Sequence, residues 1–234
     1  MAENHFRAIY ARHAAQYDAL VAAEDYRGLI FPTLNGIRPL GGLDVVEFGA
    51  GTGRLTRLLA LAARRVWAFD ASPHMLSVAA QRLAETGADN WALAAADNRR
   101  LPLPAACADL AAEGWSFAHA VGWHPDTWRA EVGAMLAEMR RVLRSGGTAV
   151  LLETLGTGHK RPAPPSEGLA ALYRWLEQEH GFQSTWIRTD YYFGSPAEAE
   201  TLTRFFFGDA LADRVAAEQS VLLPECTGIW WRSY

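Results

Sequence analysis

Cysteine, long apolar runs and clustered basic residues are all scarce in this sequence. Its two cysteines, Cys107 and Cys226, form neither a C-x-x-C pair nor a metal-ligand spacing, so free thiols and no bound metal are expected. No stretch approaches the ~20 apolar residues that a membrane-spanning helix needs, and the opening residues M-A-E-N-H-F carry no apolar export segment. A cytoplasmic protein without membrane contact is the expectation. Lys/Arg blocks never exceed a pair and the formal net charge is -4, which argues against a dedicated nucleic-acid binder. No Lys-Ser/Thr pair follows the glycine-rich stretch, so a phosphate-binding P-loop is excluded.

What is present is apolar material and tryptophan. With 234 residues, 50% of them hydrophobic, the chain can bury a full core as a single domain, residues 1–234. Nine tryptophans exceed what the strands can use, so some line a ligand pocket or a subunit contact, and a homodimer stays open.

The chain is organised around residues 45–53, V-V-E-F-G-A-G-T-G. An apolar run suited to a strand buried on both faces breaks at Gly49 and is followed by Gly51 and Gly53. Leu55, Leu58, Leu59 and Ala62 then repeat at helical spacing. A strand, a glycine turn and a helix present amide N–H groups and a positive helix end to a ligand. The spacing G-x-G-x-G with acidic Glu47 before it departs from the dinucleotide pattern G-x-G-x-x-G and suits an amine or sulfonium better than a pyrophosphate.

Residues 2–25 read as one helix and 27–40 as a helix or turn, together an N-terminal cap over 1–40. A core over 41–155 follows. Its second strand is 65–69 with Asp70, and Ser72-Pro73 opens a helix as cap and first-turn residue. Strands are expected at 91–96, 109–113 and 148–152, with a long helix at 125–143 ended by Ser145-Gly146-Gly147. The alternation implies an α/β, Rossmann-like doubly wound and mostly parallel seven-stranded sheet. Residues 156–234 change pattern: a link at 156–166, a helix at 167–179, a strand at 183–193, helices at 196–207 and 209–218, and a last strand at 228–232. This fits an antiparallel C-terminal edge.

Glu47, Asp70, Asp97 and Glu113 each stand at or beside the carboxyl end of a strand, where a parallel sheet opens its ligand crevice. Asp70, about twenty residues beyond the glycines, suits a carboxylate that binds ribose hydroxyls.

On V-V-E-F-G-A-G-T-G-R, V-W-A-F-D, A-A-A-D and M-L-A-E-M-R-R-V-L-R-S-G-G, the chain resembles the class I S-adenosylmethionine-dependent methyltransferases, most clearly from Asp44 to Glu153. The resemblance implies S-adenosylmethionine as cofactor and methyl transfer to a small-molecule oxygen or nitrogen nucleophile. It implies that Gly49 and Gly51 pass under the methionine part, that Gly53 makes the tight turn into the helix, and that Glu47 orders the loop and faces the amino group. Asp70 would bind the ribose, Ala71 and Met75 would flank the adenine, and Asp97 with Asn98 would meet its exocyclic amine. Glu113, Gly114 and Trp115 would line the sulfonium side. The Asn/Asp-Pro-Pro-Tyr stretch of adenine-N6 and glutamine-N5 methylating members is replaced here by E-G-W-S, which disfavours those acceptors.

His119 and His124 follow the fourth strand and are candidate bases or acceptor contacts. Tyr10, Tyr17, Trp123 and Tyr191 are candidate walls of the acceptor pocket. Three alternatives stand beside this reading: the same fold acting on RNA or protein, a non-enzymatic cofactor-binding protein, and an NAD-type oxidoreductase, the last opposed by Glu47 and the glycine spacing.

Overall fold

The strand β1, Asp44–Phe48, has every residue buried and lies inside the sheet. Val46 and Phe48 pack into one apolar cluster and Val45 into another on the opposite face, as strand alternation requires. Burying side chains of this size stabilises by about 1.5–3 kcal/mol each. The computed structural model describes residues 2–234.

Around β1 the seven-stranded sheet has the order β3-β2-β1-β4-β5-β9-β6. Strands β2 (Arg65–Asp70), β3 (Trp91–Ala95), β4 (Ala108–Gly114) and β5 (Leu143–Thr157) pair in parallel with their neighbours through β1. Strand β9 (Glu225–Ser233) runs antiparallel to β5, and β6 (Gln183–Arg188) antiparallel to β9. Helices α3 (Ile30–Ile37), α4 (Arg54–Ala60) and α5 (Pro73–Ala84) supply the apolar cover of one face. Helices α6 (His119–Trp123), α7 (Trp128–Val142) and α8 (Glu167–Gln178) cover the other.

A third apolar cluster is built from α2 (Ala14–Ala22), α9 (Pro196–Phe207), α10 (Asp209–Glu218) and the small sheet β7 (Tyr191–Tyr192) with β8 (Leu222–Leu223). With α1 (Ala2–Arg12), these elements stand over the carboxyl ends of the strands. No helix among the described residues is long and apolar enough to cross a membrane.

Several elements follow local signals closely. Helix α5 starts at Pro73 because Ser72 Oγ accepts the Met75 amide at 3.3 Å, and it buries Met75, Leu76, Ala79 and Leu83. Helices α9 and α10 fall where expected.

Elsewhere tertiary contacts redraw the boundaries. The expected first helix breaks at His13, whose φ of -127° and ψ of 32° separate α1 from α2. Strand β5 begins at Leu143, because the Ser-Gly-Gly stretch hydrogen-bonds to Tyr234 on both its N–H and its C=O side, and it continues past Gly156 to Thr157 opposite Glu225. The expected strand over 183–193 splits after Arg188, where Asp190 Oδ1 takes the Glu225 amide at 2.9 Å and the chain turns off into β7. Helix α6 has no sequence signal, being five residues long.

Candidate active site

The strand order reverses direction between β1 and β4, and the loops that leave them form the floor of a cavity of about 640 Å³. Gly49 and Gly51 enter it with φ of +69° and +55°, a region closed to most side chains. A Cβ on Gly49 would lie 2.4 Å from Ser116, so glycine is required there for the two loops to meet. Gly53, φ +82°, turns the chain into α4 and packs on Ala79, away from the cavity.

Of the residues that the sequence singles out for the cofactor, Gly49, Gly51, Asp70, Ala71, Met75, Asp97, Asn98, Gly114 and Trp115 line this cavity. Asp70 binds the Gly51 amide through Oδ2 at 2.8 Å and the Ser72 amide through Oδ1 at 2.7 Å. Burial raises its carboxyl above the usual range, the two amides working the other way. Asp97 is held by Arg99, whose hydrogen bonds and charge lower its pKa. Beside it Asn98 carries a buried Oδ1 with no hydrogen-bond partner among the described residues.

Glu47 and Glu113 stand behind the cavity wall and not in it. Glu47 is 1% exposed and faces Thr56 of α4; burial pushes its carboxyl up to about 8. Strand alternation carries this signal, since Glu47 shares a face with Val45. Glu113 Oε2 accepts the amides of Ser116 and Phe117 at 3.0 and 3.3 Å and so shapes the loop that carries Ser116. Its carboxyl, raised to about 7 by burial, adjoins Glu153, which burial and the Glu113 charge raise well above the usual range.

His119, His124, Trp123, Tyr10 and Tyr17 also line the first cavity. The His119 ring stacks on Trp123 with centroids 4.8 Å apart, and its Nε2 lies 2.8 Å from the Tyr10 hydroxyl. Burial lowers the His119 pKa to about 4, so the ring is neutral near pH 7. Burial raises Tyr10 well above the usual phenol range and Tyr17 to about 12, so both keep their protons. A neutral His119 is thus suited to take the Tyr10 hydrogen bond.

A second cavity of about 500 Å³ adjoins the first and shares Tyr10, Tyr17, Trp115 and His119 as walls. Tyr191 lines this one. Its acidic walls Glu24, Glu153 and Glu225 and the Arg54 guanidinium come from the turn after α2, from β5 and β9, and from α4, and no sequence spacing links them because only the fold brings them together. Arg54 pairs with Glu24 and lies over the Trp115 ring, 3.5 Å from its centroid. A helix-stripe reading of α9 could have flagged Phe206, which contacts Phe6 and Tyr17 at 5.1 and 5.5 Å.

A strand–glycine turn–helix at the reversal point, an acid after β2 and an antiparallel strand beside β5 define the class I S-adenosylmethionine-binding methyltransferase fold. The chain has that fold, and residues 45–147 match the family model described as a methyltransferase domain. A malonyl-[acyl-carrier protein] O-methyltransferase of Serratia marcescens is 34% identical over 149 residues, 64% of this chain and 52% of that protein. A ubiquinone/menaquinone biosynthesis C-methyltransferase of Bordetella avium is 32% identical over 173 residues, 73% of this chain and 60% of that protein. Among solved structures, a SAM-dependent methyltransferase from Aquifex aeolicus superposes with a TM-score of 0.55 at 13% identity, covering 86% of this chain and 88% of that one. The chain spans little more than half the length of these two sequence relatives.

Proposed function

We propose that the chain transfers a methyl group from S-adenosylmethionine to an oxygen or nitrogen nucleophile of a small molecule. The observation that carries this reading is the junction of two cavities at Tyr10, Tyr17, Trp115 and His119, one floored by the glycine turn and the other walled by rings and buried acids.

The residues fit the cofactor. Two glycines keep the floor free of side chains, Asp70 offers its remaining lone pairs at ribose position, and Asn98 Oδ1 is a buried acceptor that lacks a donor. Because Arg99 already engages Asp97, Asn98 is the better partner for an exocyclic amine. When bound, S-adenosylmethionine supplies an electrophilic methyl on a sulfonium, and the electron pair of the broken C–S bond leaves on sulfur.

This chain's own work is alignment and exclusion of water, the terms that dominate an in-line displacement. Tyr10 and Tyr17, in edge-to-face contact at 5.6 Å, wall the junction, and His119 holds the Tyr10 hydroxyl. Trp123 and His124 close the first cavity from the side of α6.

Labelled cofactor incubated with separate metabolite and macromolecule fractions of a cell extract tests the reading. Label is expected in small molecules, with little dependence on salt. Label confined to RNA or protein overturns the small acceptor, and a protein that binds NAD while ignoring S-adenosylhomocysteine overturns the methyltransferase reading.

A further inference from the structure

The second cavity has a charge pattern of its own. Three carboxyl groups, Glu24, Glu153 and Glu225, face one guanidinium, Arg54. Glu24 is committed to that guanidinium and to the Thr189 hydroxyl, which leaves Glu153 and Glu225 without an ion-pair partner among the described residues. Glu153 accepts the Ala118 amide at 2.7 Å and shares a hydrogen bond with the Glu113 carboxyl behind the wall, so Glu225 is the freer of the two acids. Glu225, 1% exposed, accepts the Thr154 hydroxyl at 2.8 Å through Oε1 with the Thr157 hydroxyl nearby, and its Oε2 has no partner at hydrogen-bonding geometry among the described residues. A buried carboxyl oxygen without a donor is costly unless a ligand supplies one.

The remaining walls are rings. Phe6, Phe206, Tyr17 and Tyr191 turn aromatic surface into the same space. Rings with negative faces beside spare carboxyl groups select organic cations over neutral or anionic molecules of equal size.

We propose that the second cavity receives an amine-bearing small molecule, its nitrogen at Glu225 and Glu153 and its hydrocarbon part against Phe6, Phe206 and Tyr17. The inference rests on the methyltransferase reading and narrows its acceptor to nitrogen. An ammonium nitrogen has no free lone pair, so it first gives one proton to a cavity carboxylate. The freed lone pair then forms the N–C bond as the C–S bond breaks. Without a ligand the cavity acids hold protons, since burial pushes Glu225 up to about 8 and burial with the adjoining Glu113 charge keeps Glu153 high. Arrival of a cation displaces such a proton, which gives binding a signature independent of turnover.

The test is calorimetry on the whole chain, first with S-adenosylhomocysteine, then with benzylamine, phenethylamine and cyclohexylamine, each beside its matched alcohol and carboxylate. Amines are expected to bind at least about tenfold more tightly than their partners, as a charge-assisted hydrogen bond implies. Proton release should show as a dependence of the heat on the buffer's ionisation enthalpy. Glu225→Gln should lower amine affinity about tenfold and leave the alcohols unchanged, while Phe206→Ala should weaken both. Glu153→Gln serves the same purpose if the first variant does not fold. Alcohols or carboxylates that bind as well as amines, no binding by any of the nine probes, or an unchanged amine affinity in both folded glutamine variants overturns the inference. If S-adenosylhomocysteine binds and the amines do not, only the nitrogen assignment fails. If S-adenosylhomocysteine does not bind, the methyltransferase reading itself fails.

Discussion

Asp70 Oδ2 accepts the Gly51 amide at 2.8 Å, so the acid that closes β2 also fixes the glycine turn that leaves β1. The same carboxylate holds Ser72 through its other oxygen, and thereby positions the start of α5. Asp70→Asn keeps the shape but replaces one acceptor by a donor that faces an amide. Cofactor affinity should fall roughly ten- to a hundredfold, and stability by about 1–3 kcal/mol. Calorimetry with S-adenosylhomocysteine and urea unfolding check the two parts separately.

Gly49→Ala should be the most damaging of the single-methyl changes in the loop. The added Cβ meets Ser116 at 2.4 Å and the backbone sits at φ +69°. A loss of about 1–3 kcal/mol or more is expected, with loss of cofactor binding. Gly41→Ala, where nothing lies within 4 Å of the new Cβ, is the matched control and should leave the melting temperature unchanged.

Glu47 sets a pH dependence of stability. Its carboxyl titrates near 4.5 when free and is raised by burial to about 8 in the fold. Across that interval the folded protein holds a proton that the unfolded chain has released, so stability falls as pH rises from about 4.5 towards about 8 and levels off above. Glu47→Gln removes this titration. The amide keeps the side chain's shape and its place against Thr56. Melting temperatures of the variant and the parent should agree near pH 5 and diverge in favour of the variant by pH 8.

The Arg54–Glu24 pair, with side chains 14% and 2% exposed, ties the turn after α2 to α4. Arg54→Met alone leaves a buried acid without its cation, and Glu24→Gln alone leaves the reverse. Each should cost about 3–5 kcal/mol. The double variant should cost much less than their sum, as denaturant unfolding of all four proteins would show.

Local chemistry made part of this architecture legible. Ser72 and Pro73 mark the start of α5 because a cap and a missing N–H act within one turn. The alanine-rich β4 was legible from its neighbours, since it lies between β1 and β5 and needs no β propensity of its own. What escaped depends on distant partners. Asp190 ends a strand by holding an amide thirty-five residues away, and Tyr234 extends β5 through the Ser-Gly-Gly turn. The rim acids were readable from strand ends, but Glu113 shapes the loop from behind the cavity and Glu47 faces α4, which only side-chain direction reveals. The second cavity gathers Glu24, Arg54, Glu153 and Glu225 from positions with no shared spacing, so no motif could announce it.

The place of β9 between β5 and β6 bears on how the chain is made. A ribosome completes β5 and β6 some tens of residues before the strand that joins them emerges. At about 5–20 residues per second, both present unpaired backbone edges for several seconds. Such edges recruit other strands, and β6 offers Trp186, 44% exposed, beside them. Newly made chains that share a polysome are therefore at greater risk of pairing with one another than finished molecules are, and synthesis that stalls between Arg188 and Glu225 would lengthen that exposure.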